Sequence, residues 1–355
     1  MKAKEYEDAI KMCIEHKDHA SVIALGPPGI GKTAIPISVC KKLEIPYSIL
    51  RLNLVNPSDI RGMAYIAEVE DSEGNKERTA VWAWPGMLPK NDGRVHIVIL
   101  DDVTNSPTTV QSTAYGMVLE HCAGEHDLSH IRFISTGNRV EDASGAYALS
   151  AALLNRFERI NLEVDLEEMR TYAMLSGWDP MIPAFWRFKP DSVHNFKPSD
   201  ARKGEPFPTP RSWDMLNTAM KIYKNIGLEK IGNYIGEGSA LEFHAFISLR
   251  DKLPDPRKII LGKSKEVPKG DVSIIYATIG AIVSYFMHQL SNLKISKVDA
   301  ATNLLAYSEK LSAEYSVLLI NDIVKFDLES LSKAKGWTEW ATKKAGFILN
   351  EPDQC

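Results

Sequence analysis

Gly26-Pro27-Pro28-Gly29-Ile30-Gly31-Lys32-Thr33 fills every fixed position of the phosphate-loop pattern G-x-x-x-x-G-K-[ST]. Glycines let successive backbone N–H groups turn inward toward phosphate oxygens, and a helix beginning near Lys32 adds the positive end of its dipole. Ser21–Leu25 before the loop reads as a short strand, and Ala34–Leu43 after it as a helix. That strand–loop–helix context separates the motif from a flexible turn that matches by chance. Lys32 is placed to contact the β and γ phosphates, and Thr33 to give its hydroxyl to Mg²⁺. Ala34, at the head of the helix, is grouped with the loop.

Outward from this loop the chain alternates. Glu5–His16 has the spacing of an amphipathic helix, with Tyr6, Ile10, Met12 and Cys13 toward one side. Tyr47–Leu52 reads as a second strand, Pro57–Arg61 as a helix start, and Asp71–Lys76 as a turn-rich stretch. Val95–Leu100 is an almost uninterrupted apolar run, which suits a strand buried on both faces of a parallel sheet. Pro107–His121 follows as a helix and Ile131–Ser135 as a buried strand. This pattern predicts an α/β fold, an αβα core with a parallel sheet over residues 1–163. From 164 to 355 the spacing predicts helices parted by Pro and Gly, a helical lid with a helical C-terminal extension. Two irregular connections, Phe188–Arg211 and Lys252–Asp271, interrupt that half.

The apolar run at Val95 ends in Asp101 and Asp102, carboxylates at the C-terminal edge of a predicted sheet, where ligands of open α/β sheets bind. Asp101 is placed to hold Mg²⁺, directly or through water, and Asp102 to orient or deprotonate an attacking water. Taken alone, the pair also fits two solvated residues at the start of a loop.

Bulk composition narrows the classes. The chain has 355 residues, 44% hydrophobic and 25% charged, which excludes a disordered or fibrous protein. A formal net charge of -4 gives no global field that would draw it to nucleic acid or anionic lipid. Cys13, Cys40, Cys122 and Cys355 are dispersed, which suggests neither a disulfide framework nor a zinc ribbon and fits a reducing cytoplasm. The charged start Met1–Asp8 lacks the apolar core of a signal peptide. Ser273–Leu290 is shorter than the roughly 20 apolar residues of a membrane span, and its Ile275, Ile279, Ile282 and Phe286 predict a helix buried in protein.

At this point the chain resembles the AAA+ ATPases, a family of P-loop NTPases, and within them the MoxR-like branch. The resemblance rests on motifs in order: Gly26–Thr33, Ile97–Asp102, Ser135-Thr136-Gly137-Asn138, Leu153-Leu154-Asn155-Arg156-Phe157 and Pro208-Thr209-Pro210-Arg211-Ser212-Trp213. It covers roughly residues 15–260. Gly236–Phe243 also looks like members of this branch from phage and prophage genomes. The resemblance implies ATP as nucleotide with Mg²⁺, a ring of six subunits, and protein partners with a von Willebrand factor A type domain.

Under the resemblance, Asn138 matches the first sensor, able to reach both the γ phosphate and the water held by Asp102. Arg156 matches the arginine finger, which crosses to the neighbour's nucleotide. Such a guanidinium can be worth ~10³ to 10⁵ in rate. The alternative is that Arg156 and Arg159 flank Glu158 in surface ion pairs worth under ~1 kcal/mol. Arg211 matches the second sensor, directed from the lid at the γ phosphate of its own subunit. One departure stands out: many members carry Glu where this chain has Asp102. Asp is shorter by one methylene, and a misplacement of about 1 Å can cost on the order of 10²-fold.

Three further groups have their commoner structural readings. His121, Cys122, His126 and His130 match no zinc spacing and read as a helix end and turn. Trp82, Trp84 and Pro85 form an aromatic segment that a ring protein could present to its substrate, though packing is the commoner fate. Trp178, Phe185, Trp186 and Phe188 read as lid core. The expectation is therefore a cytoplasmic, Mg²⁺-dependent ATPase that remodels a protein partner. The alternatives are a nucleic-acid motor, against which the lack of a basic run counts, and a nucleotide switch with little turnover, motivated by Asp102.

Overall fold

The computed structural model describes all residues except 71–75, 143–144, 148, 150–154, 198–203, 224, 265, 269–270 and 349–355. The Asp71–Asn75 turn, Leu153 and Leu154 of the finger motif, Pro198 and Cys355 lie outside the described residues. Two compact units are present: Met1–Glu168 with His194–Ser212, and Met169–Val193 with Trp213–Cys355.

The first unit is built on a parallel sheet whose strands are β1 (Ser21–Leu25), β2 (Tyr47–Arg51), β5 (His96–Asp101), β8 (Ile131–Gly137) and β9 (Phe157–Asn161), in the order β2-β5-β8-β1-β9. This is a P-loop NTPase-like sheet. Side-chain alternation decides its layers. Ile23, Leu25, Val98 and Leu100 enter one core with Val110, Ala114 and Met117 of helix α4 (Thr108–Glu120). Val22, Ala24, Ile97 and Ile99 enter another with Tyr6, Ile10 and Cys13 of α1 (Ala3–Glu15) and Val39 and Cys40 of α2 (Ala34–Lys42). With both faces covered, the central strands must be apolar at consecutive positions, each buried Ile or Leu contributing about 1.5–3 kcal/mol. Met12 leaves the expected apolar face and is 44% exposed, while Ile14 takes its place in the core.

Sequence patterning did not give β9, whose Phe157-Glu158-Arg159-Ile160-Asn161 carries charges because it is an edge strand bonded on one side only, to β1. Nor did it give the hairpin of β3 (Ala64–Glu70) and β4 (Lys76–Trp82), which pair antiparallel and, among the described residues, with no other strand. Most of their residues are exposed, so no burial constraint writes an alternation into them. Trp82 and Trp84 anchor this segment: Arg61 lies over the Trp82 ring at 4.6 Å, and Trp84 Nε1 donates to the Leu88 carbonyl at 3.0 Å. His121 ends α4, Cys122 and His126 sit on two facing two-residue strands, and His130 pairs with the Pro89 carbonyl at 3.0 Å.

In the second unit the described secondary-structure elements are helices, including Met181–Phe188, Val272–His288 and Ala313–Ser332. Trp178, Phe185 and Trp186 are buried there with Trp213 and Phe243, rings meeting at 5.1–6.0 Å, whereas Phe188 is 42% exposed. Among the described residues no helix is long and apolar enough to cross a membrane. A buried charge cluster fixes the interior: Asp322 Oδ2 accepts from Arg170 Nη2 at 3.0 Å and from Arg187 Nη1 at 2.7 Å, with Asp322 2% exposed. Removing the carboxylate would leave two largely desolvated cations without its charge. We expect Asp322→Ala to destabilise this unit by about 3–5 kcal/mol, read from denaturant unfolding; a change under about 1 kcal/mol would contradict a structural role for the cluster.

Candidate functional site

The register of the sheet brings separate pieces of chain to one edge. Leu25 aligns with Gly137 and Leu100 with Ser135, so β1, β8 and β5 end side by side. The loop Gly26–Thr33 leaves β1, Asp101 and Asp102 close β5, and Asn138 follows β8 at this edge. Gly29 and Gly31 have φ of 78° and 96°, a left-handed backbone that side chains resist. A Cβ on Gly29 would also lie 2.7 Å from Thr209 Oγ1. Pro27 and Pro28 have no N–H, and among the described residues the N–H groups of Gly29, Gly31, Lys32, Thr33 and Ala34 meet no hydrogen-bond acceptor. This is a run of donors at a helix N-terminus, the arrangement that binds phosphate.

Lys32 is 8% exposed, and its Nζ donates to the carbonyls of Gly26 (2.8 Å) and Pro27 (2.7 Å) and to Asn138 Oδ1 (2.9 Å). All three ammonium protons are engaged. Burial lowers the Lys32 pKa to about 8; nearby Asp142, Asp102 and Asp101 oppose the fall and Arg211 adds to it. Asp101 Oδ1 accepts from Thr33 Oγ1 at 2.7 Å and from Thr136 Oγ1 at 2.5 Å. The Thr33 hydroxyl and Asp101 carboxylate are adjacent hard oxygen donors, which fits a Mg²⁺ site.

Asp102 adopts a left-handed backbone, φ 57° and ψ 38°, that turns the chain sharply into Val103–Asn105. The turn aims two side chains at Asn138: the Asn138 N–H donates to Thr104 Oγ1 at 2.8 Å, and its Nδ2 to Asn105 Oδ1 at 3.0 Å. Asn138 is thus held from both sides with its oxygen on Lys32. Burial raises the Asp102 pKa, and the Asp101 charge adds to the rise, while Lys32, Arg211 and Arg51 oppose it. A carboxyl with a raised pKa is a stronger base, the property needed to take a proton from water.

Arg211 belongs to the same compact unit as the loop, because the strap His194–Ser212 returns to it. Its N–H donates to the Gly29 carbonyl at 3.1 Å, and its guanidinium lies within electrostatic reach of Lys32 and Asp102. Thr104, Asn105, Thr136, Asp142 and Thr209 were not singled out by sequence. Thr136 and Thr209 had a signal, each lying inside a quoted motif, Ser135-Thr136-Gly137-Asn138 and Pro208-Thr209-Pro210-Arg211-Ser212-Trp213.

Arg156 is not brought to this edge. It precedes Phe157, which aligns with Ser21 at the start of β1, so it stands about 13 Å or more below the loop. Its side chain is exposed and meets no ion-pair partner among the described residues. Glu158 faces His19 instead, at 3.7 Å, and Arg159 Nε donates to Asn161 Oδ1 at 3.2 Å.

No family model matches the chain. It is 26% identical over 156 residues to the Lon protease of Mycoplasma genitalium, an alignment spanning 39% of this chain and 17% of that protein. The Lon protease of Fervidobacterium nodosum is 23% identical over 209 residues, 54% of this chain and 24% of the relative. That of Methanosphaera stadtmanae is 28% identical over 165 residues, 41% and 18%. The chain therefore spans less than a quarter of the length of these relatives. Among solved structures, the Thermotoga maritima RuvB Holliday junction branch migration motor covers 73% of this chain and 74% of its own at 14% identity and a TM-score of 0.37. A variant of it covers 89% and 83% at 13% and 0.39. Superpositions this loose carry no argument. The similarity to Lon proteases is to part of those proteins, and it stands beside the parallel sheet and the phosphate loop of this chain.

The Lys32 pKa sets a pH test. The ammonium binds phosphate only while protonated, and with its pKa lowered to about 8 it loses that proton at less alkaline pH than an ordinary lysine. We expect ATP affinity by calorimetry to weaken roughly tenfold from pH 7 to pH 9. Lys32→Ala should abolish binding at both pH values while the circular dichroism spectrum is unchanged. ATP affinity independent of both pH and Lys32 would count against the loop.

Proposed function

We propose that the chain is a Mg²⁺-dependent ATPase of MoxR-like type that works as a homo-oligomeric ring, probing and remodelling a protein partner. The observation that carries the reading is the split of charges: Lys32, Asp101, Asp102, Asn138 and Arg211 share one sheet edge, and Arg156 stands exposed at the other. A cation so placed cannot serve its own loop, but it can serve the loop of an adjoining copy.

In this reading the free N–H groups of the loop and Lys32 bind the β and γ phosphates, a phosphate oxygen replacing one of the three acceptors on Lys32. Thr33 and Asp101 would hold Mg²⁺, which supplies positive charge to the phosphates. Asp102 takes a proton from the attacking water, and Asn138, fixed by Thr104 and Asn105, orients that water against the γ phosphate. Arg211, on the strap bonded to Gly29, distinguishes triphosphate from diphosphate by direct attraction. Such a contact lets the γ phosphate bias the strap, whose last residues begin the helix Pro210–Ile222. Partners with a von Willebrand factor A type domain and a six-membered ring extend this reading.

The test is phosphate release measured across protein concentration. Turnover per subunit should climb as the chains assemble, and Arg156→Ala should bind ATP with normal affinity yet lose ~10³-fold in turnover. Turnover that is normal in Arg156→Ala, or independent of concentration, would contradict a shared site. Absent release from the wild-type assembly would instead favour a nucleotide switch.

A further inference from the structure

Helix α2 carries a gap in its hydrogen-bond ladder, in its first turn. Pro36, a buried residue of that turn, has no N–H to donate to the carbonyl four residues earlier, and its ring crowds that carbonyl. The carbonyl is that of Lys32. On either side the helical bonds are present: the Ile35 N–H donates to the Gly31 carbonyl at 2.9 Å, and the Ile37 N–H to the Thr33 carbonyl at 3.5 Å. In the gap, Tyr6 Oη of α1 donates to the Lys32 carbonyl at 3.3 Å in a buried contact, and no other donor to it is present among the described residues. Tyr6 is 0% exposed, packed in the core with Ile10, Cys13, Val39 and Cys40. Phenylalanine would fill this space without burying a hydroxyl, so packing alone does not call for tyrosine. Burial raises the Tyr6 pKa and the Asp101 charge adds to the rise, so the phenol keeps its proton and remains a donor.

The consequence lies at the other end of the same peptide unit. The Lys32 C=O and the Thr33 N–H share one plane and point in opposite directions, and Thr33 has a helical backbone, φ -88° and ψ -32°. A donor that holds the carbonyl toward α1 therefore aims the Thr33 N–H back into the loop, where it meets no acceptor among the described residues. We propose that Tyr6 is a positioning residue for phosphate: its hydroxyl stands in for the N–H that Pro36 lacks, fixes the Lys32–Thr33 peptide plane, and so presents the Thr33 N–H to a bound nucleotide. The inference rests on the reading of Gly26–Thr33 as a nucleotide-binding loop and makes α1 part of its construction. At 3.3 Å the bond is longer than the roughly 2.7–2.8 Å usual for O–H···O, which sets the scale of the effect at severalfold.

The test is a double-mutant cycle read by ATP calorimetry, with thermal melting of all four chains beside it. Tyr6→Phe keeps the ring and removes only the donor; it should weaken ATP affinity about fivefold at temperatures where the chain is folded. Pro36→Ala restores an N–H at the position from which a helix donates to Lys32. Adding Tyr6→Phe to that variant should therefore change affinity less than about twofold, a coupling that lost packing would not produce. Equal losses in the two backgrounds would overturn the proposal. So would wild-type affinity in Tyr6→Phe, including the case in which its melting temperature alone falls. Failure of the loop reading looks different: the wild-type chain itself would bind no ATP, and the proposal would fall with it.

Discussion

The structure depends on one carboxylate. Asp101 Oδ1 accepts hydrogen bonds from Thr33, at the end of the loop that leaves β1, and from Thr136 on β8, while Asp101 itself closes β5. Three neighbouring strand ends are tied at one oxygen. Charge-assisted bonds of this kind are about twice as strong as neutral ones, and at a half-buried position they are little screened. The loop is held to the sheet by this contact below and by the Thr209 and Arg211 contacts to Gly29 above. Asn138 takes its place from the same edge, because β8 cannot shift in register without breaking the Thr136 bond.

From that constraint the electrostatics follow. Lys32, Arg211, Asp101, Asp102 and Asp142 influence one another there. Burial pushes Lys32 toward its neutral form and Asp102 toward its protonated form, and their mutual attraction works against both changes. The site therefore stores charge at a cost that arriving phosphate and metal ion offset. Arg156 lies outside this balance, at the far end of β1, which is why a second copy is needed to complete the chemistry proposed for it.

The loop and the central strands were legible because each is over-determined. Gly26–Thr33 needs its residue types for backbone reasons, and Val95–Leu100 needs apolar residues on both faces because α1, α2 and α4 cover both. The edge strand Phe157–Asn161 and the hairpin from Ala64 to Trp82 were not, because strands with little burial leave the sequence free to vary. The sequence reads Phe188–Arg211 as an irregular connection; Phe188 and Pro190–Ser192 are helical, and from His194 onward the strap is irregular for most of its described length. What sequence could not supply is that Thr209 and Arg211 return to Gly29. Asn105 and Thr104 were missed for a related reason, since their roles come from the left-handed turn at Asp102 and not from any spacing. In the second unit the apolar run Ser273–Leu290 was read correctly as a buried helix, while the Arg170–Asp322–Arg187 cluster joins residues up to 152 positions apart and leaves no local trace.

The central claim is that one copy's phosphate loop works with another copy's arginine. Its most direct measurement is ATP turnover in a mixture of two inactive chains, Lys32→Ala, which keeps the arginine, and Arg156→Ala, which keeps the loop. The account predicts that each is silent alone and that turnover returns on mixing, because some interfaces then pair an intact loop with an intact arginine. A mixture as silent as its parts, from chains that demonstrably co-assemble, would contradict it.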